Sequence, residues 1–107
     1  MSRLAVTAVY QGVVDPDAVV GWDPGLSTYF LQAFDQGGGP SLWLGTGFSE
    51  FTTPHALAMQ CLALGVGLFH VWGRTVEDQR LSAELNEIFN SIFSGEAQSG
   101  YNVKALH

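Results

Sequence analysis

The sequence predicts an α+β domain: a small antiparallel sheet of three to four strands packed against two helices, spanning about residues 54–64 and 76–93. Three observations lead there. An alternating apolar run opens the chain, two strand-like runs flank the Gly-rich stretch 36–40, and two helix patterns with recognisable starts follow. No repeat or linker divides the molecule. Residues 1–94 read as one domain and 95–107 as a polar C-terminal tail, expected to be mobile or lightly docked.

In the first run, residues 3–11, Leu4, Val6, Ala8 and Tyr10 fall on one side and Ala5, Thr7 and Val9 on the other. That period of two, with β-branched residues, predicts a strand. Asp15-Pro16-Asp17 and Gly21-Trp22-Asp23-Pro24-Gly25 are turn signals, because Pro presets φ and Gly accepts positive φ. The segment between them reads as a loop or short edge element.

Residues 28–35 carry Phe30 and Phe34 on one face and Tyr29, Leu31 and Ala33 on the other. Gln36-Gly37-Gly38-Gly39-Pro40 breaks the chain, and residues 41–46, with Leu42, Trp43 and Leu44, read as the second arm of a β-hairpin. Thr53-Pro54 then marks a helix start. Pro disfavours α geometry before it, so Thr53 is the natural N-cap and Pro54 the first helical residue. Leu57, Cys61 and Leu64 share one helical face, and Gly65 is a C-terminal stop. Residues 66–72 read as a short strand. Thr75 to Asp78 predicts a second start with acid in the first turn. Leu81, Leu85, Ile88, Phe89 and Ile92 form the apolar stripe of an amphipathic helix.

Composition bounds the function classes. A chain of 107 residues has room for one core, and 47% hydrophobic content supports one. Only 13% of residues are charged, where about 25% is usual. So few charges leave apolar surface to be exposed, or hidden by self-association or a partner. The net charge is −6, and Arg3, Arg74, Arg80 and Lys104 are scattered. Direct nucleic-acid binding draws on clustered basic groups and is not expected. Ten acids spread along the chain fit a solvated surface better than a DNA mimic.

One cysteine, Cys61, rules out an internal disulfide, and the first run is too short and alternating for a signal peptide. A cytoplasmic setting is the default. The apolar stretch 56–72 approaches the length of a membrane span. It contains Gln60, Gly65, Gly67 and His70, so a buried helix followed by a strand is the expectation, with no membrane partner.

Chemical motifs are weak. His55, His70 and His107 lack metal-ligand spacing, and with one cysteine no metal or other cofactor is expected. Glu50 and His55 could form an acid–base pair, but an exposed helix-start histidine beside a loop acid explains them as well. Cys61, on an apolar helix face, reads as a core residue rather than a nucleophile. Gly37-Gly38-Gly39-Pro40 lacks the Gly-Lys-Ser/Thr ending of a phosphate loop, and Gly45-Thr46-Gly47 is too short for a nucleotide site.

The leading expectation is therefore a small acidic, non-enzymatic interaction module. It would act by covering the surface of another protein or of its own copy in a homodimer. Inhibitors, immunity proteins and anti-defence proteins share this size and charge, which is an analogy of type. Trp and Tyr beside sparse charge are typical interface anchors. The expected partner-binding residues are Trp22, Asp23, Tyr29, Leu31 and Asp35, on the presumed loop and the second sheet face. The alternative is a small-ligand-binding or enzymatic domain, with a pocket between sheet and helices near Trp43, His55 and His70.

Overall fold

The computed structural model describes residues 2–92. The order of elements is β1 (Leu4–Tyr10), β2 (Val13–Asp23), β3 (Thr28–Asp35), β4 (Pro40–Leu44), α1 (Pro54–Ala63), β5 (Val66–Trp72) and α2 (Val76–Ile92). All five strands form one antiparallel sheet in the order β4-β3-β2-β1-β5. The first four strands run as a meander, and α1 carries the chain across to place β5 beside β1. This is the α+β class with five strands rather than three to four. The expected tail, 95–107, lies outside the described residues.

The added strand is β2. Residues 11 and 12 close a two-residue hairpin in which Gln11 and Gly12 both take positive φ, 50° and 81°, matching the right-handed twist of the strands they join. Asp15-Pro16-Asp17 is not a turn but a bulge. The β1–β2 register shifts between Val6 and Ala8, so two β2 residues face Thr7 alone. Proline lacks an N–H and is tolerated where the ladder is interrupted. The β1–β5 register shifts beside the same level, between Ala5 and Thr7, where His70 of β5 takes φ 54°. Gly21 sits inside β2 because a Cβ there would collide with the carbonyl of Ser2.

Side chains alternate across the sheet, and the helices cover one face. Leu4, Val6 and Ala8 of β1, Ala18 and Val20 of β2, and Leu31 and Ala33 of β3 are buried there. Leu57, Ala58 and Cys61 of α1 and Leu81, Leu85 and Phe89 of α2 close over them. At roughly 1.5–3 kcal/mol for each large apolar side chain removed from water, this layer is the main source of stability.

Both helix starts behave as read. The Thr53 hydroxyl accepts the N–H of Ala56 at 3.0 Å, and the Thr75 hydroxyl accepts that of Asp78 at 3.0 Å. Gly65, at φ 81°, ends α1 and admits β5. The apolar stretch 56–72 is thus divided between a helix and a strand, and among the described residues no helix is long and apolar enough to cross a membrane. The loop before α1 is stitched to the sheet by the buried Thr28, whose hydroxyl accepts the N–H of Phe51 at 2.8 Å. Across the edge of β5, the carboxamide of Asn86 accepts the N–H of Val71 and donates to its carbonyl, both at 3.0 Å.

Candidate functional site

Among the described residues one face of the sheet carries no helix, and it is the unusual surface. Antiparallel sheets often expose one face, but that face is normally polar. Here strand pairing aligns Trp72, Ala5, Val19, Gln32 and Trp43 in one row from edge to edge. Four inter-strand steps of about 4.8 Å make the row roughly 19 Å long. Its two ends are tryptophans, 60% exposed at Trp72 and 53% at Trp43. None of the five residues carries a charge.

Beside Trp43 the face dips. Phe30 is buried on the helix-free side, opposite the side-chain-less Gly21, with the Arg3 guanidinium 5.7 Å from its ring centroid. Arg3, Asp23, Gln32, Trp43 and Thr46 border this cleft, which has a volume near 380 Å³. Arg3 and Asp23 are of opposite sign, so the dip adds no net formal charge to the face.

The residues expected to bind a partner do not form one surface. Trp22 belongs to β2 rather than a turn, pairs with Tyr29, and packs against its ring at a centroid distance of 4.8 Å. Both are half-buried and line a small cleft with Glu77, Asp78 and Leu81 at the start of α2. Desolvation, and secondarily the Glu84 carboxylate, raises the Tyr29 phenol above its ordinary range. Leu31 is completely buried under the helices, because odd-numbered positions of β3 face the core. Asp23 and Asp35 serve turns: their carboxylates accept the N–H groups of Gly25 at 2.9 Å and Gly37 at 2.8 Å.

Nor does the structure gather Trp43, His55 and His70 into one of these clefts. Trp43 lies on the helix-free face, His55 is exposed on the first turn of α1, and His70 is exposed at the bulge of β5. Glu50 braces its own loop by accepting the N–H of Gly47 at 2.9 Å. Cys61 is buried, and burial pushes its thiol up to about 12, far from a thiolate at neutral pH. Among the described residues, no group of three or more His, Cys, Asp or Glu is placed to hold a metal ion.

Sequence reasoning missed Trp72 and underused Trp43. The signal was present in part, since Trp43 alternates with Leu42 and Leu44. The partnership of the two tryptophans depends on β5 lying next to β1. In comparisons with known proteins, no family model, curated protein or solved structure matched this chain.

Proposed function

We propose that the protein is a non-enzymatic interaction module that covers a partner's surface with the helix-free face of its sheet, the partner being a second copy of the chain. The observation that carries this reading is the uncharged row ending in two exposed tryptophans. Large aromatic side chains supply interface energy at low entropic cost, and they cluster at energetic centres of interfaces. A two-fold contact sets this patch against an identical one, so a face carrying charge of one net sign would repel its copy. This row meets that condition although the chain as a whole carries −6.

Light scattering over a concentration series to about 1 mM, where even weak association registers, tests the proposal. The mass should rise towards that of a dimer, and the double variant Trp43→Ser/Trp72→Ser should stay monomeric throughout. A wild-type protein that is monomeric across the series would overturn self-association.

A further inference from the structure

A third concave surface lies at the other end of the sheet from the Trp43 cleft, between the β1–β2 hairpin, the β3–β4 arm and the turn that links α1 to β5. It is a cleft of about 370 Å³, within the size range of small-molecule sites. Val13, Leu42, Leu64 and Val66 supply aliphatic walls. The rings of Tyr10 and Phe34 meet edge to face at 6.4 Å. Three of these side chains, Tyr10, Val13 and Leu64, are exposed, so filling the cleft would remove apolar surface from water.

The placement of Phe34 departs from strand geometry. Simple alternation puts position 34 with Phe30 and Gln32, on the helix-free face. Instead Phe34 takes φ 59°, and its side chain packs against the main core beneath the helices. A non-glycine residue in this region costs roughly 1–3 kcal/mol and persists only where its surroundings impose it. Asp15, beside the bulge of β2, does so by accepting the Phe34 N–H at 2.6 Å. Strain at this point builds one aromatic wall of the cleft.

The chemistry of the lining defines what would fit. Among the described residues no Asp, Glu, Lys or Arg borders the cleft, and the polar side chains lining it are the Tyr10 hydroxyl, the Gln36 carboxamide and the Ser41 hydroxyl. We propose that this cleft binds a neutral, mainly apolar ring compound that carries one hydrogen-bonding group. A carboxylate would find no cationic partner among the described residues of the lining and would lose water there.

Indole is a suitable probe, followed by amide chemical shifts in a ¹⁵N-labelled protein. Saturable shifts are expected at Phe34, Leu64 and Val66, with binding at least ~10-fold weaker for indole-3-carboxylate. Leu64→Glu, at a site exposed enough to keep the fold, should weaken indole by a similar factor. Asp15→Ala should weaken it too, while Asp15→Asn, which keeps an acceptor, should bind as wild type. Non-saturating shifts, saturable shifts centred on Trp43, or full binding by Leu64→Glu would each overturn the assignment.

Discussion

Asp15 and Phe34, separated by 19 residues, are joined by a hydrogen bond of 2.6 Å from a strand N–H to a side-chain carboxylate. The carboxylate stands where a neighbouring backbone carbonyl would have continued the ladder. It also accepts the N–H of Asp17 at 2.9 Å, so one side chain satisfies two donors at the bulge. Asp15→Ala should destabilise the fold by about 2 kcal/mol, since a charge-assisted bond is lost and a partly buried N–H is left without it. Urea unfolding with an unchanged m-value would report this as a shift in midpoint.

Cys61 should make the fold sensitive to alkali. Its folded pKa, about 12, lies above the reference value of 9.0, so above that reference the native state holds a proton the unfolded state has released. The associated stability is complete below pH 9 and is lost as pH rises towards 12, with a slope approaching 1.4 kcal/mol per pH unit. Tyr29, whose pKa is also raised, adds a slope of the same sign above its own reference. Thermal unfolding between pH 7 and 10.5 should show the decline, and Cys61→Ala should delay its onset to higher pH at the expense of lower stability throughout. The native thiol should resist alkylation at pH 8 and react once denatured.

The three tryptophans should separate by what they touch. Trp22→Ala removes the packing against Tyr29 and should cost about 2–3 kcal/mol, the scale of a half-buried aromatic with an edge-to-face partner. Trp43→Ala and Trp72→Ala alter exposed positions and should change monomer stability by only about 0.5 kcal/mol. Equal losses at all three sites, measured by denaturation of the dilute protein, would contradict the placement of the row.

Gly45 should tolerate no side chain. It follows β4 at φ 82°, and a Cβ would run into the carbonyl of Tyr29 and lie 2.8 Å from the Cα of Phe30. Neither is the end of a flexible side chain that could swing away. Gly45→Ala should cost about 3 kcal/mol or more, lowering the melting temperature by roughly 12 °C or more. A melting curve within a few degrees of wild type would show that the loop after β4 is free to move.

What sequence reasoning could and could not reach has physical causes. Thr53, Thr75, Gly65 and the stripe from Leu81 to Phe89 act through neighbours within a turn or two, and each works as its pattern implies. β2 was hidden because the residues that read as turns perform long-range tasks. Pro16 occupies an interruption in pairing, and Gly21 makes room for Ser2. The candidate surface was harder still. Alternation in β3 separated Tyr29 and Leu31 from Phe30, but only the helices decide which set is covered. Phe34 then breaks the alternation because of an aspartate on another strand.

The two borders of the sheet are unequal, and that works against growth at one of them. At β5 the Asn86 carboxamide already occupies both backbone groups of Val71, so an incoming strand meets a side chain where it needs free donors and acceptors. At β4, a strand of five residues beginning with proline, no further strand pairs among the described residues. Backbone pairing between copies is therefore hindered at Val71 on the β5 border, and β4 is the more open of the two. Two copies joined through β4 would leave only their β5 borders, where a third strand would meet Asn86. The Asn86 side chain on β5 thus acts against edge-to-edge addition of strands, the step by which exposed sheets grow into fibres.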